Sequence, residues 1–186
     1  QIEAMTLGHR VAVLRGGVLQ QCASPTELFH RPVNLFCATF IGSPEMNLVD
    51  ATLDGDVVRF ADIELPVSSR PGGPVASWTL GVRPSDLVLA SAAPGLPTID
   101  ARIDHVEHLG AQVQVSFALD APQVRLDASS EDEELEQAAV RSDRARWTAE
   151  LPDGSGVSVG DVVTLGVVTE RLHWFDPDSG ERAAGT

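Results

Sequence analysis

The sequence predicts a mainly β fold, a small barrel or sandwich of short strands preceded by a short α+β stretch, and three observations predict it. Nine β-like runs follow one another between residues 57 and 175, separated by turn residues. A hairpin pattern and helical patterns with clear stops fill the first 42 residues. The charge changes near the same place. Residues 1–47 hold three arginines and three glutamates, so the whole formal charge of −14 lies in residues 48–186. That break in composition marks the expected domain boundary, 1–47 against 48–186.

Residues 1–7 read as the end of a helix stopped by Gly8. With no initiator methionine and a helix already under way at Gln1, the chain is expected to be cut from something larger. RVAVL (10–14) and VLQQC (18–22), joined across Gly16-Gly17, read as a hairpin. Ser24-Pro25-Thr26-Glu27 is a capping box with proline at the first helical position, so a short helix follows, ended by Pro32. Val33, Phe36, Cys37, Phe40 and Ile41 then recur at helical spacing up to Gly42 and Pro44, an amphipathic helix that needs a surface to pack on. The β-like runs are VVRF (57–60), IELPV (63–67), WTLGV (78–82), DLVLA (86–90), IDARIDHV (99–106), AQVQVSFAL (111–119), WTAEL (147–151), VVTLGVV (162–168) and RLHWF (171–175).

An acidic insertion at about 120–146 interrupts these runs. Six acids fall between Asp127 and Glu136, and Arg141, Arg144 and Arg146 follow, an order that suits a helix dipole. Only Leu135, Ala138, Ala139 and Val140 offer an apolar face, too little to offset a backbone entropy of about 1–2 kcal/mol per residue. Residues 127–146 are therefore expected to be mobile with at most a short helix, dispensable for the β-domain and available to a basic partner.

Composition excludes several functions. All 13 cations are arginine, against 27 acids, a balance that repels phosphate backbones and anionic lipid, so nucleic acid is not an expected partner. A chain without lysine has no phosphate-cradling P-loop, because that loop ends in Gly-Lys-Ser/Thr. No G-x-G-x-x-G is present for a dinucleotide, and no stretch approaches the roughly 20 apolar residues of a membrane span. A soluble, cytosolic chain is expected. Cys22 and Cys37 lack metal-site spacing and are expected to be buried free thiols.

GVSVG (156–160) fits the G-x-S-x-G pattern of a hydrolase nucleophile, but Ser158 is preceded by the turn PDGSG and followed by a strand rather than a helix, so a loop is expected. Asp104, His105, Glu107 and His108 have metal-ligand chemistry, yet alternate across a strand and converge only if it bulges. His173 reads as a half-buried strand histidine with no paired nucleophile, and Trp78, Trp147 and Trp174 as packing residues. Arg83-Pro84 differs in kind. The proline ends the strand, and the arginine beside that stop is placed for a carboxylate or a backbone carbonyl.

Residues 1–49, QIEAMTLGHRVAVLRGGVLQQCASPTELFHRPVNLFCATFIGSPEMNLV, closely resemble the end of the ATP-binding domain in the ATPase subunit of carbohydrate-uptake ABC transporters, the maltose, trehalose and glycerol-phosphate importer group. LGVRPSDL (80–87), VEHLGAQVQV (106–115) and VGDVVTLGVVTERLHWFDPDSGER (159–182) resemble that group's C-terminal regulatory domain, a transport-associated OB-like β-fold. The resemblance implies a small OB-like barrel or sandwich with a regulatory role, preceded by an α+β remnant of the ATPase domain. It implies no enzyme activity and no cofactor in this chain, with ATP and magnesium bound in the parent protein by residues upstream. Implied partners are a second copy through the C-terminal domain, the permease subunits and a regulatory protein, at the cytoplasmic face of the membrane. Arg83, Pro84, Glu107, Gly110, Trp174 and Phe175 are the implied regulatory or dimer surface. The alternative is a β-module that captures a small oxyanion, for which a domain this acidic supplies little beyond Arg83.

Overall fold

The computed structural model describes residues 2–68, 70–72, 77–124 and 144–183. The expectation for the acidic insertion falls mostly outside the described residues. Helix α1 (Ile2–Leu7) stops at Gly8, whose N–H donates to the Ala4 carbonyl at 3.0 Å. Strands β1 (Val11–Arg15) and β2 (Val18–Ala23) form the expected hairpin, with Gly16 and Gly17 both at positive φ, the conformation of a tight hairpin turn. Helix α2 (Pro25–His30) begins where the Ser24 hydroxyl accepts the Glu27 N–H, and α3 (Leu35–Phe40) where the Asn34 side chain accepts the Cys37 N–H at 2.9 Å.

The buried face of α3 differs from the expected stripe. Leu35, Cys37 and Ala38 are buried, followed by Ile41, while Val33 and Phe40 are exposed. Val33 lies ahead of the helix, so helical spacing does not apply to it. Phe36 is half-buried under the Arg15 guanidinium, 5.1 Å from the ring centre.

Two five-stranded antiparallel sheets follow. One has the order β12-β6-β3-β4-β5, from β3 (Asn47–Asp54), β4 (Val57–Phe60), β5 (Ile63–Pro66), β6 (Ser77–Val82) and β12 (His173–Phe175). The other is β10-β9-β8-β11-β7, from β7 (Leu87–Leu89), β8 (Thr98–His108), β9 (Gln112–Pro122), β10 (Arg144–Pro152) and β11 (Val162–Val167). It curls into an OB-like half-barrel, with β10 lying against β7. Strand β3 is absent from the sequence reading, because Asn47, Asp50 and Asp54 are residue types that strands disfavour. Its carboxylate at Asp50 points outward, between the buried Val49 and Ala51. RLHWF is a strand only from His173, since residues Thr169–Arg171 form a 3-10 turn.

The inner faces of both sheets share one core, in which Val49, Leu80 and Val82 meet Ile103, Val115, Phe117, Trp147 and Leu165. Trp147 stacks on Phe60 at 5.4 Å and takes Phe117 edge-on at 6.4 Å. Polar ties join β3 to β10. Asn47 donates to the Thr148 carbonyl at 2.8 Å and accepts the Thr148 N–H at 2.7 Å, and the Trp147 indole donates to the Leu48 carbonyl at 3.2 Å. Among the described residues no helix is long and apolar enough to cross a membrane.

Pro122 and Arg144 are ladder partners, and Arg144 also pairs with Asp120 at 3.2 Å, so the ends of the insertion are already side by side. Replacing residues 125–143 with a short Gly-Ser turn is expected to keep the melting temperature within about 5 °C of the parent, on the order of 1 kcal/mol at this size. A larger fall in scanning calorimetry shows that the excised residues pack on the fold.

Candidate functional site

Strand β6 ends at Val82, the last residue paired with β3, and Pro84 opens a 3-10 turn (Pro84–Asp86). Arg83 is thereby held extended between strand and turn, with its side chain directed at the ends of α2 and α3. Its Nη1 donates to the carbonyls of Ala38, at 2.9 Å, and Ile41, and its Nη2 to that of Phe29, at 2.9 Å. The guanidinium also lies 4.3 Å over the Phe29 ring. These carbonyls belong to the closing turns of two helices, where partial negative charge collects without intrahelical partners. Arg83 is only 1% exposed, and burial pushes its pKa down to about 10, against the opposing pull of Asp86. It remains charged at neutral pH.

The surroundings are shaped to that side chain. A Cβ at Gly42, whose φ is +124°, would sit 3.0 Å from Arg83 Nη1. A Cβ at Gly81 would meet Met46 Sδ at 2.4 Å and the His173 Cβ at 3.2 Å. His173 pairs with Gly81 across the ladder, stacks on Phe175 and is 4% exposed, more deeply buried than its sequence context suggests. Burial, then the charges of Arg83, Arg182 and His30, push its pKa down to about 3. Asp86 is buried too, and desolvation raises its pKa although the Arg171 guanidinium donates to it at 3.1 Å.

Of the residues expected on a regulatory surface, Glu107 and Gly110 are exposed, on β8 and in its turn to β9. The other four require correction. Arg83, Pro84, Trp174 and Phe175 are buried, because the first two turn the chain into the helix junction and the aromatic pair fills the cores. Trp174 meets Trp78 edge-on at 6.5 Å. Gly81 and Asn47 escape the sequence reading, which also takes Gly42 only as a helix stop, since tertiary contacts alone reveal their roles.

Among the described residues the groups of the chemical alternatives are not assembled into a site. The Ser158 N–H donates to the Asp161 carboxylate at 2.8 Å within a loop whose Gly156 and Gly160 are left-handed, and β11 follows instead of the helix a nucleophile needs. Strand β8 does bulge between Ile103 and His105, but Asp104 pairs with Arg146 at 3.5 Å, and among the described residues no three His, Cys, Asp or Glu side chains are grouped to hold a metal. Cys37 is buried with its thiol pushed up to about 11, whereas Cys22 is exposed, contrary to expectation. A groove of about 650 Å³ opens beside Asp50, Thr52, Arg59, Ser77, Thr79 and Gln123. Arg59 there already pairs with Asp54 at 2.9 Å and Glu64 at 2.8 Å, an arrangement unsuited to an oxyanion.

Residues 80–175 match the TOBE domain family. The chain is 35% identical, over 97% of its length, to a xylose/arabinose import ATP-binding protein of Haloferax volcanii, of which it covers 43%. It is 36% identical over 97% of its length to the trehalose import ATP-binding protein of Mycobacterium tuberculosis, covering 48%, and 33% identical over 99% to an sn-glycerol-3-phosphate import ATP-binding protein of Ruegeria sp., covering 45%. The chain belongs to the TOBE domain family, and about 97% of it is homologous to ATP-binding subunits of carbohydrate importers. It spans under half the length of these relatives. Without lysine it lacks the P-loop of an ATPase core, in keeping with a non-catalytic region. The TOBE match opens three residues before Arg83 and closes at Phe175, so the Arg83 contacts reach from the matched region to helices outside it.

The His173 imidazole supplies a pH test. Its folded pKa lies below the unfolded value near 6.5, so its stabilising contribution is complete above about pH 6.5 and is lost as pH falls toward 3. In urea unfolding, the stability advantage of the parent over His173→Asn is expected to shrink by up to about 1.4 kcal/mol per pH unit between about pH 6 and pH 4. A difference that stays flat over that range shows His173 to be titrating freely.

Proposed function

We propose that this chain is the C-terminal regulatory and dimerisation region of the ATP-binding subunit of an importer for sugars or sugar-like solutes. Residues 1–47 would close the nucleotide-binding domain and residues 48–186 form the regulatory domain. The observation that carries the reading is the Arg83 junction, which ties the β-module to the two helices preceding it. The relatives named above are import ATP-binding proteins, and their likeness runs through both parts. ATP and magnesium belong, on this reading, to portions of the subunit outside this chain. The partners are a second regulatory domain, the permease subunits and a regulatory protein, at the cytoplasmic face of the membrane.

The dimer surface is assigned to the β8–β9 turn, where Glu107 and Gly110 flank the exposed Leu109. A two-fold contact of standard size would bury about 800 Å² per partner. Light scattering at rising protein concentration is expected to show a monomer–dimer equilibrium that Leu109→Glu shifts at least tenfold toward monomer. A chain that stays monomeric at high concentration overturns the dimerisation role. Purified chain is also expected to release no phosphate from ATP and magnesium above background.

A further inference from the structure

We propose that α3 is a transmission element that makes the hairpin core and the β-module move and unfold as one unit. The six-residue helix has two buried stripes that belong to different cores. Cys37, with Ile41 just beyond the helix, packs into the cluster of Val13, Ala23 and Leu28. Leu35 and Ala38 pack into the cluster of Met46, Leu48 and Phe175. A helix this short has little stability of its own, so it persists only where it is held.

Both of its ends are held by the β-module. At the start, the Leu35 N–H donates to the Gly180 carbonyl and the Arg182 N–H to the Val33 carbonyl, both at 2.8 Å, so the segment after β12 runs beside the entry to α3. Asn34 caps the helix and donates to the Gln20 side chain at 3.1 Å, extending the tie to β2. At the finish, Arg83 takes the carbonyls of Ala38 and Ile41. A displacement of the hairpin core therefore drags α3, and α3 drags the β-module. The inference rests on these contacts and holds whichever solute or partner the parent protein serves.

The chain carries a reporter in each core. Trp78, Trp147 and Trp174 lie in the β-module, and Cys37 lies in the hairpin core. In the full chain carrying Cys22→Ser, urea titrations followed by tryptophan fluorescence and by Cys37 thiol labelling are expected to share one midpoint. Arg83→Met removes the donors and keeps an unbranched apolar stem. It is expected to speed Cys37 labelling without urea at least tenfold and to bring the thiol midpoint below the tryptophan midpoint. Should Arg83→Met fail to fold, Arg83→Lys and Gly42→Ala, which crowds Nη1, are judged by the same two probes. Coincident midpoints in the variant that folds, or midpoints already separate in the parent chain, overturn the proposal.

Discussion

A buried arginine that answers to carbonyls joins the helices of this molecule to its sheets. Arg83 leaves β6 where Pro84 ends the strand, and its guanidinium meets the closing carbonyls of α2 and α3 rather than a carboxylate. Burying a cation is costly, and here the cost is offset by hydrogen bonds to three backbone oxygens, by two helix ends and by the face of Phe29. The planar fork suits that task, since it reaches two helices at once.

The neighbouring residues follow from that demand. A Cβ at Gly42, where φ is +124°, would crowd Arg83 Nη1, and one at Gly81 would run into Met46 Sδ and crowd His173 and Phe175. His173 stays neutral because it is desolvated in the company of Arg83, Arg182 and His30. Asp86, buried in the turn after Arg83, keeps a partner in Arg171 from the second 3-10 turn, which brings the start of the half-barrel against the segment leading into β12. The first sheet, the half-barrel and the helices thus meet around one polar centre.

Of the groups that could suggest catalysis, Ser158 lies in a turn, Asp104 in an ion pair and His173 in the packing. The match to the TOBE domain family, residues 80–175, takes in Arg83, Asp86, Arg171 and His173 of that polar centre.

Much of the architecture was legible in the linear pattern. Turn glycines, the Ser24 cap and the alternation of apolar residues are local signals, so the hairpin, α2 and most strands could be read directly. Arg83 stood out because proline stops the strand next to it, although its partners lie more than 40 residues away. Strand β3 was hidden because its polar residues, unfavourable by propensity, are satisfied by Thr79 at Asp50 and Thr148 at Asn47. Burial of Trp174 and Phe175, and the two faces of α3, were decided only when distant segments closed over them. Local conformation is set by each residue and its near neighbours, which the sequence by itself determines. Which side of an element meets water depends on what packs against it, and only the tertiary structure decides that.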